Sequence, residues 1–232
     1  MSTDLTEYKK QAGHKAVEFV ESGMVVGLGH GSTAIWAVRR IAELLKEGQL
    51  KGIQGIPCSS AVEEEAQALE IPLTDLNAHP QVDITIDGAD EVDPELNLIK
   101  GGGGALLREK MVAQASQREI IVIDAGKRSD VLGTNFALPV EVVQFGWEAS
   151  ARFIEEQGAK VSQRLNDDGT PFISDQHNYI LDCDFGPIAD LGMLDFFLKT
   201  RVGIVEHGLF LGMATDLIVA GTEGIEHIQA EV

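Results

Sequence analysis

Only two cysteines, Cys58 and Cys183, occur in the 232 residues, too few to staple a fold with disulfides. Neither stands at a short Cys/His spacing that would read as a zinc site, and both read as small buried hydrophobes rather than reactive thiols. Positive charge is also scarce: 18 Lys+Arg face 37 Asp+Glu, a formal net charge of −19. A chain this acidic repels phosphate backbones and anionic lipid headgroups, which excludes nucleic-acid and membrane-surface partners. A small anion can bind only where the sign reverses locally. No stretch approaches the roughly 20 apolar residues of a membrane span. The start, Met1 to Glu7, lacks the basic and apolar segments of a signal peptide, so a cytoplasmic location is expected. Repeats, low-complexity tracts and long linkers are missing too. What remains is a 44% apolar chain, long enough to bury a real core.

The order of patterns predicts alternating helices and strands. Tyr8, Ala12, Ala16, Phe19 and Val20 recur at helical spacing across Leu5 to Glu21. The apolar run Met24 to Leu28 then ends in glycines and leads into a helix from Ala34 to Lys46. A second strand at Gly52 to Ile56, a polar turn at Cys58-Ser59-Ser60 and a helix at Ala61 to Leu69 repeat the scheme. Strands at Val82 to Ile86 and Ile120 to Asp124 flank a helix at Ala105 to Ser116. This rhythm predicts a Rossmann-like α/β domain, a parallel sheet covered on both faces, with its ligand at the carboxyl ends of the strands.

Beyond Lys127 the texture changes. Strands at Leu138 to Val143, Lys160 to Leu165 and Tyr179 to Asp184 interleave with helices at Trp147 to Gln157 and Ile188 to Lys199. The hairpin signal Asn166-Asp167-Asp168-Gly169 separates two of the strands. That order is a ferredoxin-like α+β lobe. Strand-like sequence after Gly208 returns to the first sheet, so the smaller lobe is inserted: residues 136–205 within an α/β domain of residues 1–135 plus 206–232.

Four segments carry candidate chemistry. In Gly27-Leu28-Gly29-His30-Gly31-Ser32-Thr33, glycines permit close backbone approach, and hydroxyls and amides at a helix start suit a phosphate. A plain strand-to-helix turn is the alternative. The segment is neither a dinucleotide fingerprint nor a nucleotide P-loop. Asp87-Gly88-Ala89-Asp90 sets two carboxylates directly after a strand, as a solvated acidic turn or as a proton-handling pair; the neighbourhood lacks a histidine that would favour a metal. Lys100 is followed by four glycines, Gly101 to Gly104, and then by Glu109 on a helix. A run so costly in entropy points to a loop that must present amides or admit something close. Glu109 either points back to a ligand or faces solvent. Asp124-Ala125-Gly126-Lys127 ends a strand on a lysine that is an anion contact or merely exposed. His14, His79, His177, His207 and His227 show no ligand spacing.

In this order the four motifs resemble the A-type ribose 5-phosphate isomerases. The carrying stretches are Gly27 to Thr33, Asp83 to Asp93, Lys100 to Lys110 and Asp124 to Gly133, with Leu138 to Val142 and Asp216 to Gly221 agreeing further on. The resemblance implies interconversion of ribose 5-phosphate and ribulose 5-phosphate through an enediolate, in the non-oxidative pentose phosphate pathway, with no metal or organic cofactor. It implies that Glu109 moves the proton, Asp87 assists ring opening, Asp90 is a neighbouring proton or hydroxyl partner, and Lys100 faces the developing oxyanion. The substrate-binding set it implies is His30, Gly31, Ser32, Thr33, Asp87, Gly88, Ala89, Asp90, Lys100, Gly101, Gly102, Gly103 and Lys127, with Lys9 as a further phosphate contact. A homodimer, or a tetramer, is implied as well. The family usually carries Thr where this chain has His30.

A sugar-phosphate sensor is the rival reading, but the first strand begins near Met24 after a single helix, which leaves no room for a helix-turn-helix or its basic patch. Other phosphosugar isomerases and amino-sugar phosphate deaminases lack the Asp-Gly-Ala-Asp and Lys-Gly-Gly-Gly pairing. Charge is distributed accordingly. Residues 100–128 hold six basic side chains against three acidic ones, whereas residues 81–99 hold six carboxylates and no Lys or Arg.

Overall fold

A computed structural model describes the backbone of residues 2–230 and the side chains of residues 5–230. Met1, Glu231 and Val232, assigned from sequence to the α/β domain, lie outside the described residues. In chain order the elements are α1 (Ser2–Val17), β1 (Val25–Leu28), α2 (Ala34–Lys46), β2 (Gln54–Pro57), α3 (Ser60–Ala68), β3 (Ile84–Asp87), β4 (Glu91–Val92), β5 (Leu98–Ile99), α4 (Leu106–Ala115) and β6 (Glu119–Asp124). There follow β7 (Leu138–Val142), α5 (Trp147–Glu156), β8 (Lys160–Gln163), β9 (Tyr179–Asp184), α6 (Leu191–Thr200), β10 (Ile204–His207), β11 (Leu209–Phe210), β12 (Asp216–Gly221) and β13 (Gly224–Gln229).

The chain divides into two compact units. Among the described residues the first comprises 2–89, 108–127 and 212–230. Its six-stranded sheet runs in the order β13-β12-β6-β3-β1-β2, and every neighbouring pair is parallel except the β12–β13 hairpin at one edge. Strand β6 shows why the sequence reads as a continuous apolar run: all six of its residues are buried, as expected of a strand covered on both faces. Helix α2 buries Ala34, Ala37, Val38, Ile41 and Ala42, the stripe that a period of 3.6 dictates. These side chains join Ala12 and Ala16 of α1 and Val26, Ile84, Ile86, Ile120 and Val122 of the strands in one core.

Two sequence expectations in this unit shift. Helix α1 stops at Val17 rather than Glu21, because the chain tightens into i→i−3 bonds from Glu18, Phe19 and Val20 and then turns at Gly23, whose φ is +90°. The closing strand does rejoin the sheet, as β12, but it then folds back as the antiparallel β13.

The second unit comprises residues 90–107 and 128–211. Its four-stranded antiparallel sheet, β10-β7-β9-β8, carries α5 and α6 in the βαββαβ order of the expected lobe. A small sheet, β11-β5-β4, joins the 90–107 segment to Leu209-Phe210. The unit therefore extends past the 136–205 span read from sequence. Helix α6 starts at Leu191, not Ile188, because Asp190 caps it: its Oδ1 accepts the Met193 amide at 2.8 Å. Among the described residues no helix is long and apolar enough to cross a membrane.

Candidate active site

In the first unit the sheet grows outward from β1 in both directions, to β2 on one side and β3 on the other. The carboxyl ends of β1 and β3 are thus the topological switch point, where open parallel sheets bind ligands. Gly29 makes the approach possible there. Its amide donates to the Ile86 carbonyl at 3.0 Å, and a Cβ on it would fall 2.3 Å from that oxygen and 2.4 Å from Asp87 Cα. Asp87, fully buried at the end of β3, accepts the His30 amide at 2.9 Å and the Gly88 amide at 2.7 Å, both on Oδ1. Burial at 0% exposure removes the solvated-turn alternative for Asp87. The two amide donors hold the Asp87 carboxylate in one orientation.

The next residues form a basic, donor-rich helix start. Gly31 takes φ = +112°, a left-handed conformation, and its carbonyl accepts the Ile35 amide at 3.1 Å. Thr33 is the N-cap of α2 but its side chain makes no capping bond, and the first turn carries no acidic residue. Lys9 reaches from α1 to place Nζ 2.9 Å from Ser32 Oγ. The sequence-predicted Lys9 and Ser32 are therefore in contact. Lys127 ends the 3-10 turn that follows β6, the strand next to β3. His30 Nδ1 lies 2.8 Å from Ser59 Oγ, which also caps α3 by accepting the Val62 amide at 3.1 Å. In the sequence Ser59 reads as an ordinary turn residue.

Glu109 lies in the first turn of α4 and is 3% exposed, with the neighbouring Lys110 at 2%. An amphipathic solvent-facing glutamate is excluded by that burial. Among the described residues, no three His, Cys, Asp or Glu side chains group as a metal site. Cys58 and Cys183 are both buried, as expected, and burial pushes the Cys183 thiol up.

The second unit holds Asp90 and the glycine loop. Lys100 is buried, with its amide on the Gly208 carbonyl at 2.9 Å and its Nζ 5.5 Å from the Phe210 ring centre. Gly101 has φ = +105° and Gly104 φ = +76°, where a Cβ would meet the Phe172 ring at 2.4 Å. At Gly102 a Cβ would meet the Asp90 carboxylate at 2.6 Å. The Gly102 amide donates to Asp90 Oδ2 at 2.7 Å, so that amide serves a protein carboxylate. Arg164, not singled out by sequence, donates to the carbonyls of Gly101 and Gly102 at 2.8 and 3.0 Å. In sequence it is indistinguishable from an exposed arginine at the end of a hairpin strand.

The chain has relatives along almost its whole length. Residues 54–224 match the family described as ribose 5-phosphate isomerase A (phosphoriboisomerase A). The ribose-5-phosphate isomerase A of Desulfatibacillum aliphaticivorans is 59% identical over 222 residues, which is 96% of each chain. Among solved structures, the ribose 5-phosphate isomerase of Plasmodium falciparum superposes with a TM-score of 0.95 at 40% identity, covering 98% of this chain and 100% of that one. A D-ribose-5-phosphate isomerase solved in complex with phospho-erythronic acid also gives 0.95, at 35% identity over 97% of this chain and 99% of that one. With such likeness in sequence and in fold, the chain belongs to the ribose 5-phosphate isomerase A family of aldose-ketose isomerases.

Proposed function

We propose that the protein interconverts D-ribose 5-phosphate and D-ribulose 5-phosphate by proton transfer through an enediolate, with Glu109 as the base. The observation that carries it is the withdrawal from water of two carboxylates, Glu109 at 3% exposure and Asp87 at 0%, each at the mouth of a loop that ends in a helix or strand. Asp87 relays protons between the ring oxygen and the anomeric hydroxyl as the furanose opens. The Glu109 carboxylate then removes the C2 proton of the open aldose and returns it to C1, while the hydroxyl proton on O2 passes to O1 with Asp90 as its partner. Lys100 and the glycine-loop amides stabilise the negative oxygen in between.

The phosphate binds the amides and hydroxyls of Gly31, Ser32 and Thr33, assisted by Lys9 and Lys127; His30, Gly88, Ala89, Gly101, Gly102 and Gly103 complete the contacts. The uncapped start of α2 and the Lys9–Ser32 contact support that assignment. The phosphorylated sugar acid bound to a solved relative supports the substrate class. The reaction needs no metal or organic cofactor, the enzyme acts in the cytoplasm within the non-oxidative pentose phosphate pathway, and it assembles as a homodimer or a tetramer. A direct optical assay of ketose formation from ribose 5-phosphate, run with and without EDTA, tests the activity and its independence of metal together. Turnover unaffected by chelation is expected. No turnover, or an EDTA loss restored by a divalent ion, contradicts the proposal.

A further inference from the structure

The guanidinium of Arg164 is committed on two edges. Nε donates to Asp182 Oδ2 at 3.0 Å and one terminal nitrogen to Asp182 Oδ1, forming a bidentate pair. The other terminal nitrogen donates to the Gly101 carbonyl at 2.8 Å and the Gly102 carbonyl at 3.0 Å. Its side chain is only 14% exposed, and the Phe172 ring, which abuts Gly104, lies 5.8 Å from the guanidinium carbon. A surface arginine would not be held on four acceptors at once.

Peptide planarity turns these contacts into a statement about the loop. In a trans peptide the C=O and the following N–H point in opposite directions. With the Gly101 carbonyl drawn to Arg164, the Gly102 N–H faces the other way, and there it meets Asp90 Oδ2 at 2.7 Å. With the Gly102 carbonyl also drawn to Arg164, the Gly103 N–H is turned to that same side. Arg164 and Asp90 thus grip one stretch of glycine backbone from opposite faces. The Gly101 carbonyl also accepts the Gly104 amide at 2.9 Å, whereas at the Gly102 carbonyl glycine's wide conformational range would otherwise let the peptide flip.

We infer that Arg164 is a positioning residue for the isomerisation: by fixing two carbonyls it presents consecutive amides to the reacting side, one to orient Asp90 and the next to bind the substrate oxygen that becomes negative. The inference rests on the proposed isomerisation and assigns its donor geometry to a side chain outside the loop. Such a residue acts on turnover more than on substrate affinity, since misplacement of a donor by about 1 Å can cost roughly 100-fold.

The experiment measures kcat, KM and the unfolding midpoint for Arg164→Ala, Arg164→Lys and Asp182→Asn in the full-length enzyme. Arg164→Ala is expected to lower kcat by roughly 10- to 100-fold with a much smaller change in KM. Millimolar guanidinium chloride should restore part of that kcat, whereas Arg164→Lys should remain impaired because one ammonium lacks the planar fork. Asp182→Asn, which keeps the arginine and its bulk, should give a milder kcat loss in the same direction. Combining Arg164→Ala with Asp90→Asn should cost less than the product of the two single losses, because they share the Gly101–Gly102 peptide, yet more than Asp90→Asn alone, because Arg164 also sets the Gly103 amide. A kcat that stays unchanged in Arg164→Ala overturns the inference. So does a kcat loss that tracks unfolding and resists guanidinium in both the Arg164→Ala and Asp182→Asn variants. A wild-type enzyme inactive on ribose 5-phosphate overturns the isomerisation itself and this role with it, while an active wild type beside an unaffected variant overturns only this role.

Discussion

The backbone amide of His30 donates to Asp87 Oδ1 across 2.9 Å, tying the loop after β1 to the end of β3 at the switch point of the sheet. The contact uses the backbone of residue 30 and not its imidazole, which turns instead to Ser59. Because the Oδ1 of an asparagine accepts the same two amides, Asp87→Asn should fold with a near-normal unfolding midpoint. Its kcat should nevertheless fall by about 10²- to 10⁴-fold, the usual contribution of a proton-transfer group. Steady-state kinetics beside a thermal scan separates the two effects.

Ser32 and Thr33 are assigned to the phosphate. Neither hydroxyl caps α2, so the Ser32→Ala/Thr33→Ala double variant should lose little stability. Each hydrogen bond to a charged group contributes roughly 1.5–3 kcal/mol, which predicts a KM for ribose 5-phosphate raised about tenfold or more per hydroxyl. An unchanged KM would move the phosphate elsewhere.

A third expectation concerns stability at the amino end of the sheet, away from the chemistry. Asp216 is 2% exposed and receives Arg118 bidentately at 2.8 and 2.7 Å, with His227 at 2.7 Å and Thr215 at 2.8 Å. Burial alone would raise its pKa. The hydrogen bonds from Arg118, His227 and Thr215, together with the Arg118 charge, outweigh burial and hold the carboxyl well below the usual range. A depressed folded pKa contributes stability that is present above the unfolded value of about 3.9 and is lost as pH falls toward the folded one. Asp216→Asn should therefore be less stable by roughly 3 kcal/mol at neutral pH. The gap should narrow as denaturation curves are taken further below pH 4.

Much of this is legible in the sequence alone. The bounds of α2 and β9 fall where the pattern put them, because an amphipathic stripe and a buried run end sharply at polar or glycine residues. Strands β4, β5 and β11 have two residues each, too short for any period, and with them went the true extent of the second unit. The glycines announced the loops, since Gly29, Gly101, Gly102 and Gly104 sit where a side chain would clash or strain the backbone. Ser59 and Arg164 gave no such sign. Arg164 meets the glycine loop from 62 and 63 residues away in sequence, a separation at which only the folded chain brings them together.

The central claim is that Glu109 moves the proton, and Glu109→Gln tests it most directly. The substitution keeps the volume of a side chain that is 3% exposed and removes its basicity. The account predicts a kcat for ribose 5-phosphate reduced by about 10²- to 10⁴-fold, a far-ultraviolet circular dichroism spectrum like that of the wild type, and loss of deuterium incorporation at C1 of the ketose in D2O. A folded Glu109→Gln enzyme turning over at near wild-type rate would contradict it.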